Sequence, residues 1–132
     1  MDVVEKIHAR FKGLLPDTLA MQITHADADC VRAELTVRDA ICTTGGILHG
    51  GAIMAYADTL GAVGTVLNIP ESAGTATIES KTNFFRPAPV NTVVSAECTP
   101  VNKGRRTQTW QTRLLNADGK VIALVTQTQM VL

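Results

Sequence analysis

A histidine, a pair of glycines and an acid stand in the most apolar stretch of the chain. His49 precedes Gly50 and Gly51, and Asp58 lies in the middle of the apolar run 47–69. An isolated carboxylate among apolar side chains needs a partner or a function, because its burial is costly. Glycines at a helix start leave free backbone N–H groups. A carboxylate together with free amide donors is suited to hydrolysis at a carbonyl group.

The spacing between Gly50 and Asp58 constrains how they could act together. Eight residues on a helix that begins near Gly50 span about 12 Å along its axis. One small acyl carbonyl cannot touch both groups at that separation. If the two groups share a reaction, antiparallel helices of two subunits must bring Asp58 of one beside Gly50 of the other. That arrangement predicts two equivalent sites at a homodimer interface.

Each of these residues also has a purely structural interpretation. His49 could be a capping histidine, and Asp58 a carboxylate bonded to the backbone or to Thr59. For a lone histidine or a lone acid the structural interpretation is favoured, whereas their order beside a glycine pair favours function. A second chemical alternative is a Cys42 nucleophile with His49 as its base, which only their proximity supports.

The composition excludes several classes of function. Twelve basic and twelve acidic residues among 132 leave no excess charge that would favour nucleic acid. Cys30, Cys42 and Cys98 form no CxxC pair, which argues against a disulfide framework and against a metal site. We therefore expect a reducing compartment, the cytoplasm. The amphipathic N-terminus also lacks the pattern of a signal peptide.

The apolar run 47–69 is long enough to cross a bilayer, but its composition argues against a membrane span. Asp58 lies at its centre, where an acid costs about 2.5–3.5 kcal/mol on insertion scales. The run also contains four glycines and has no flanking aromatic residues of the kind found at membrane interfaces. It is therefore expected to be a buried helix of a protein that does not bind membranes.

The pattern of apolar residues predicts two helices and six strands. The clearest strand is 31–37, where apolar residues alternate with polar ones. The predicted helices cover 2–13 and the segment from Gly50 to just before Pro70, and the predicted strands cover 19–24, 31–37, 75–85, 90–101, 106–115 and 121–131. A helix that is apolar on nearly every side must be surrounded. We therefore expect one α+β domain, residues 1–132, with a curved six-stranded antiparallel sheet wrapped around a long central helix.

Two motifs resemble a known family. The residues around the helix start form the first, Gly46-x-x-His49-Gly50-Gly51 followed by Asp58. The second is the stretch 83–88, which reads Asn-Phe-Phe-Arg-Pro-Ala. Together they resemble the hotdog-fold acyl-CoA thioesterases of the phenylacetate-degradation and hydroxybenzoyl-CoA thioesterase type, over nearly the whole chain. The resemblance implies the hotdog fold, hydrolysis of an acyl-CoA thioester, and homodimers that pair into tetramers. It also implies that no cofactor is needed, since coenzyme A is part of the substrate.

The resemblance assigns catalytic roles to residues of this chain. The backbone N–H of Gly50 would polarise the thioester carbonyl, and His49 would shape that end of the pocket. Asp58 of the partner subunit would be the general base for water or else the nucleophile, and the residues do not decide between the two. Thr77 falls where related enzymes place a hydroxyl that orients water or the carboxylate.

One position departs from the family pattern. Thr43, six residues before His49, falls where many relatives carry Asn or Gln. Threonine has a hydroxyl but no amide, so its reach and its number of donors differ. Thr44 is the alternative counterpart if the loop is shifted by one residue.

Basic and aromatic residues are candidates for contacts with the rest of the substrate. Lys103, Arg105 and Arg106 flank Gly104 on a predicted turn, where they could bind the phosphates of coenzyme A or simply be solvated. Arg86 is a further candidate for phosphate binding. The large side chains that could line an acyl pocket, or could equally belong to the core, are Met54, Tyr56, Phe84 and Phe85.

Thioester hydrolysis is thus the leading hypothesis, and three others remain. A hydratase or dehydratase of the same fold usually has a differently spaced Asp–His pair. A non-catalytic acyl-CoA binder or sensor is supported by the threonine at position 43. A purely structural dimer module would bind no coenzyme A. The acyl group stays open, because aromatic, medium-chain and branched groups all fit the sequence.

Overall fold

A computed structural model describes every residue from 1 to 132 and divides the chain into three α-helices and eight strands. The helices are α1 (Val3–Phe11), α2 (Leu15–Thr18) and α3 (Gly50–Val66). The strands are β1 (Gln22–Ala26), β2 (Val31–Thr36), β3 (Cys42–Thr43), β4 (Ile47–Leu48), β5 (Thr75–Phe84), β6 (Val93–Lys103), β7 (Thr107–Leu115) and β8 (Val121–Val131). A 3₁₀ turn, Asp39–Ile41, precedes β3.

Six of the strands form one antiparallel sheet in the order β1-β2-β6-β7-β8-β5. The remaining two, β3 and β4, form a small hairpin directly before α3. Strand β5 follows α3 in the chain and pairs only with β8, so it lies at an edge of the sheet. The predicted α+β architecture, a six-stranded antiparallel sheet packed against a long helix, is confirmed.

One side of α3 packs against the sheet. Its buried side chains include Ile53, Tyr56 and Leu60, and the Tyr56 hydroxyl donates to the Val94 carbonyl oxygen at 3.0 Å. Burial raises the pKa of the Tyr56 phenol well above its usual value, so this side chain stays neutral. The tight helix–sheet contact places the core of the molecule between α3 and the central strands.

Two glycines of α3 allow the helix to approach the sheet closely. A Cβ at Gly61 would lie 2.2 Å from the side-chain amide nitrogen of Gln127, and a Cβ at Gly64 would lie 2.8 Å from the Trp110 ring. Both sheet side chains are buried. Because neither of them has free space to move into, glycine is required at these two positions.

The opposite side of α3 remains partly uncovered. Met54 and Val66 are 37% and 43% exposed, although the sequence suggested a helix surrounded on nearly every side. The helix α1 covers only part of this surface, with Ile7 packed into the core. No helix in the structure combines the length and the apolar character needed to cross a bilayer.

The element boundaries differ from the predicted ones near turns. The short helix α2, with Pro16 in its first turn, occupies Leu15–Thr18, and the first strand therefore lies at Gln22–Ala26 instead of 19–24. Asn91 adopts a left-handed conformation (φ 68°), so the predicted strand 90–101 begins only at Val93 and runs on to Lys103. The segment between β2 and α3, which the apolar pattern assigned to no strand, contains the 3₁₀ turn and the short strands β3 and β4.

Candidate active site

The start of α3 is a preorganised amide donor. His49 is its N-cap, and the Nδ1 atom accepts a hydrogen bond from the Gly51 N–H at 2.7 Å. The Gly50 N–H has no acceptor within the chain. A Cβ at Gly51 would lie 2.9 Å from His49 Nδ1, so a side chain at this position would displace the capping imidazole. The cap therefore fixes the first turn and leaves the Gly50 amide available to a ligand.

The cap also fixes the tautomer of His49. Because Nδ1 accepts a hydrogen bond, the proton of the neutral imidazole must be on Nε2. The side chain is exposed, and its Nε2 contacts no protein acceptor. His49 is thus a capping residue, as its structural interpretation predicts. The same hydrogen bond from Gly51 supports Gly50 as an amide donor, because it fixes the first turn of α3.

Neighbouring segments hold the helix start in place. The His49 N–H donates to the Ile41 carbonyl oxygen at 3.0 Å, and the Leu48 N–H donates to that of Ala88 at 2.8 Å. Gly45 and Gly46 have positive φ values of 89° and 71°, which turn the chain sharply between β3 and β4. The loop after β5 and the β3–β4 hairpin therefore position the Gly50 amide from both sides.

A groove of about 340 Å³ opens beside Gly50. Its wall includes Thr43, Phe84, Phe85 and Arg86. The Phe84 ring lies 3.3 Å from the position that a Cβ at Gly50 would take. In this groove, called the amide groove below, the predicted donor Gly50 lies beside one hydroxyl, two aromatic rings and one cation.

Asp58 lies outside the amide groove and has its own set of partners. Thr77 Oγ1 donates to Asp58 Oδ1 at 2.6 Å, and Gln129 Nε2 donates to Thr77 Oγ1 at 2.6 Å. Gln127 Nε2 donates to the main-chain oxygen of Asp58 at 3.1 Å. The Asp58 side chain is half-buried, and Thr77 is exposed on the edge strand β5. This set, called the acid network below, holds one carboxylate oxygen in a hydrogen bond.

The predicted catalytic residues therefore form two separate groups within one chain. Thr43 and Gly50 share the amide groove, whereas Asp58 and Thr77 contact each other in the acid network. The eight-residue step along α3 separates the two groups by about 12 Å. Thr44, the alternative to Thr43, is exposed and does not line the groove.

The candidates for acyl-pocket contacts are divided in the same way. Phe84 and Phe85 line the amide groove and are 52% and 57% exposed. Tyr56 is buried in the core with its hydroxyl bonded, and Met54 lies on the uncovered side of α3.

The basic turn between β6 and β7 is partly engaged within the fold. Lys103 Nζ lies 2.7 Å from Asp29 Oδ1 and 3.3 Å from Asn68 Oδ1. The ion pair connects the turn to the loop between β1 and β2, and the hydrogen bond connects it to the residues after α3. Arg105 and Arg106 are exposed and make no ion pair within the chain. The two arginines are therefore the free cations of this turn.

Arg86 has a different position. It lines the amide groove, and its Nη1 donates to the Val121 carbonyl oxygen at 2.6 Å. That bond holds the guanidinium near the groove while other N–H groups stay available.

The alternative cysteine nucleophile gains no contact in the structure. Cys42 lies in β3 opposite Leu48, and its sulfur makes no hydrogen bond to His49, whose Nδ1 is occupied by Gly51. Cys98 is buried, and this burial raises the pKa of its thiol to about 12. A thiol in that state is a poor nucleophile near neutral pH.

Sequence reasoning missed the two buried glutamines of the acid network. Gln127 and Gln129 are 1% and 0% exposed. Both lie on β8 at positions that face α3, where alternation alone would place apolar side chains. The available signal was two amides two residues apart on the buried face of a predicted strand, since buried amides require hydrogen-bond partners.

Comparison with known proteins identifies the class. Residues 45–123, more than half of the chain, match the thioesterase superfamily. The chain is 31% identical over 115 residues to the proofreading thioesterase EntH of Klebsiella pneumoniae, covering 86% of this chain and 82% of that protein. It is 26% identical over 118 residues to the 1,4-dihydroxy-2-naphthoyl-CoA hydrolase of Escherichia coli, covering 89% and 86%.

Among solved structures, a thioesterase from Haemophilus influenzae superposes with a TM-score of 0.93 at 25% identity, covering 100% of this chain and 92% of that one. This chain therefore belongs to the thioesterase superfamily and has the hotdog fold. The family resemblance and the fold predicted from the sequence are confirmed, and the protein is a thioester hydrolase.

Proposed function

We propose that the protein hydrolyses an acyl-CoA thioester at sites shared between two copies of the chain. The observation that carries this proposal is the separation of the amide groove from the acid network. Each holds half of the machinery for attack on a thioester, and about 12 Å of helix keeps the halves of one chain apart. Pairing two copies about a twofold axis would place Asp58 of the partner subunit at Gly50.

The exposed surface around Asp58 supports this pairing. The uncovered side of α3 carries Met54 and Val66, and the adjacent edge strand β5 carries Ile78, which is 54% exposed. Small residues, Ala55 and Ala62, lie between them on the helix and would allow a close approach of a second helix. A long unpaired edge strand is also a surface that proteins usually cover. We propose a homodimer through this surface and pairing of dimers into a tetramer.

The proposed reaction uses groups of this chain alone. The thioester oxygen accepts a hydrogen bond from the Gly50 N–H at the positive end of α3, which stabilises the negative charge that develops on it. The Asp58 carboxylate takes a proton from water as the water oxygen bonds to the carbonyl carbon. The tetrahedral intermediate then collapses, the carbon–sulfur bond breaks, and coenzyme A leaves as a thiolate that is protonated.

Thr77 orients the Asp58 carboxylate for its reaction with water. Its hydroxyl occupies Oδ1, so Oδ2 is the oxygen left for water. Direct attack of that oxygen on the carbonyl carbon, followed by hydrolysis of the anhydride, would use the same contacts. We propose that either route proceeds without a cofactor or metal, with coenzyme A entering as part of the substrate.

Coenzyme A recognition is assigned to the cations near the two groups. Arg86 lies in the amide groove, and Arg105 and Arg106 lie on the turn that Lys103 connects to Asn68, just after the C-terminal end of α3. In an antiparallel pair of helices, that end of one subunit extends beyond Gly50 of the other. The phosphates of coenzyme A suit the guanidinium groups there, whereas Lys103 already binds Asp29.

The name of the Escherichia coli relative, a hydrolase of an aromatic CoA ester, supports coenzyme A as the carrier. The free state of Cys30, Cys42 and Cys98 supports a reducing cytoplasmic location.

The test is thiol release from a panel of acyl-CoA esters by wild-type protein and by Asp58→Asn. We expect the variant to lose turnover by a factor of about 10²–10⁴, since it keeps the shape of the acid but not its basicity. Turnover by Asp58→Asn at the wild-type rate would refute the proposal. Tight binding of acyl-CoA without hydrolysis by the wild type would instead favour the binder or sensor, which Thr43 in place of an amide supports.

A further inference from the structure

Gln129 is a buried polar residue whose side chain is bonded at both ends. It is 0% exposed and lies on β8 directly opposite Thr77 of β5. Its Nε2 donates to Thr77 Oγ1 at 2.6 Å, and its Oε1 accepts from Thr75 Oγ1 at 3.0 Å. Burial of an amide is costly unless such bonds are made, so these contacts determine the orientation of the side chain.

The direction of the hydrogen bonds follows from the number of available protons. The Thr77 hydroxyl has one proton, and Gln129 Nε2 can only donate. Thr77 Oγ1 therefore accepts from Gln129, and its own proton points to Asp58 Oδ1. The opposite amide orientation would place two acceptors, Asp58 Oδ1 and Gln129 Oε1, at 2.6 Å from a Thr77 hydroxyl that has only one proton. In the assigned orientation the Thr75 hydroxyl shares its proton between Gln129 Oε1 and the Met130 carbonyl oxygen, both at the longer distance of 3.0 Å.

We propose that Gln129 is a positioning residue for the hydrolysis proposed above. By donating to Thr77, it prevents the hydroxyl from turning its proton away from Asp58. The hydroxyl then holds Oδ1 of the ionised carboxylate and directs Oδ2 toward water. Gln129 contacts neither Asp58 nor the substrate, so it acts only through Thr77. This inference rests on the proposed function, because it assigns a role within the same reaction.

The sheet offers a matched control for Gln129. Gln108 of β7 pairs directly with Gln129 and is also buried, at 3% exposed. Its Oε1 has no hydrogen-bond partner, and its side chain makes no hydrogen bond to any residue of the acid network. A change from glutamine to methionine at either position keeps nearly the same volume and removes the amide.

The first measurement is steady-state hydrolysis of the best acyl-CoA of the panel. We expect Gln129→Met to lower kcat about tenfold, as for a lost bond that stabilises the transition state by about 1.4 kcal/mol, with little change in KM. Gln108→Met should keep the wild-type kcat. Equal losses in both variants, or a wild-type kcat in Gln129→Met, would overturn the proposal.

The second measurement tests whether Gln129 acts through Thr77. A residue that acts only through Thr77 adds no further loss once the hydroxyl is gone. The double variant Thr77→Val/Gln129→Met should therefore have the same kcat as Thr77→Val alone. Losses that multiply would show an independent, merely structural effect of Gln129 and would contradict the inference.

Two additional variants distinguish a folding defect from a loss of positioning, and the role of Gln129 from the proposed function as a whole. If Gln129→Met does not fold, Thr75→Val replaces it, since loss of the Thr75 hydroxyl frees the other end of the amide and should lower kcat in the same direction. No loss in Thr75→Val would then count against the proposal. Asp58→Asn is measured in parallel. Full turnover there overturns the proposed function itself, whereas an inactive Asp58→Asn with an unaffected Gln129→Met overturns only the role of Gln129.

Discussion

The two halves of the proposed site lie on one helix but are built by different means. At the amide groove the functional group is a backbone N–H, and its support is local: His49 caps Gly51 two residues away. In the acid network the functional group is a side chain, and its support comes from a distant strand, because Gln129 holds Thr77 from 52 residues away in the sequence. A backbone donor needs only a fixed helix end, whereas a carboxylate must also be kept in one orientation.

This difference explains where each half tolerates change. Gly50 and Gly51 lie at the surface, so the constraint on them is the space that a ligand or the imidazole requires. The glutamines that support Asp58 are enclosed in the core, where a change of volume is felt by all neighbours. We therefore expect variants at the groove to affect mainly turnover and variants under the acid to affect turnover and stability together.

Among variants that leave the acid in place, the largest expected effect comes from removing the amide donor without disturbing the helix. Gly50→Pro deletes the N–H, and proline is favoured at the first position of a helix. The preceding His49 has φ −61° and ψ 136°, a conformation compatible with a following proline. We expect kcat to fall by a factor of about 10²–10³ with an unchanged melting temperature.

Gly50→Ala is the control for this change. It adds a Cβ at the same distance from Phe84, 3.3 Å, but keeps the N–H. An equal loss of kcat in the alanine variant would assign the effect to crowding of the groove and would remove the case for a backbone donor.

Mixing two defective subunits tests whether the halves come from different chains. Gly50→Pro subunits keep the acid, and Asp58→Asn subunits keep the amide. Co-refolding equal amounts makes about half of the dimers mixed, each with one intact shared site of two, so about a quarter of the wild-type turnover should return. Turnover no higher than that of the two parents would mean that the two halves do not meet across a dimer interface.

The sequence was informative where a feature depends on neighbours along the chain. The cap at His49 and the free amide at Gly50 follow from a glycine pair at the start of an apolar run, and β2 follows from strict alternation. The acid network could not be predicted in this way, because Thr77 meets Gln129 only if β5 pairs with β8 in one particular register. Asn91, whose left-handed turn delays β6, shows the same limit for an element boundary.

A third prediction compares two glycines that face the sheet. Alanine at either Gly61 or Gly64 overpacks the core, against Gln127 or Trp110 respectively, and should lower the free energy of unfolding by about 1–3 kcal/mol. Only Gly61→Ala should also lower kcat, because Gln127 donates to the main-chain oxygen of Asp58. Chemical denaturation and steady-state kinetics of both variants measure the two effects. If Gly61→Ala and Gly64→Ala have equal kcat values, Gln127 contributes to the stability of the fold but not to turnover.

The smallest expected effect comes from variants of His49. They distinguish its role as the N-cap of α3 from a direct contact with the substrate. The imidazole does not line the amide groove, and its one hydrogen bond within the chain is accepted from the Gly51 N–H. His49→Ala should therefore lower the free energy of unfolding by about 1 kcal/mol, the usual value of an N-cap. His49→Asn, which keeps an N-cap acceptor, should have the stability and the turnover of the wild type. If the asparagine variant is as stable as the wild type but its turnover is low, the Nε2–H of His49 must itself contact the substrate, and the donor at this end of the site would no longer be purely a backbone group.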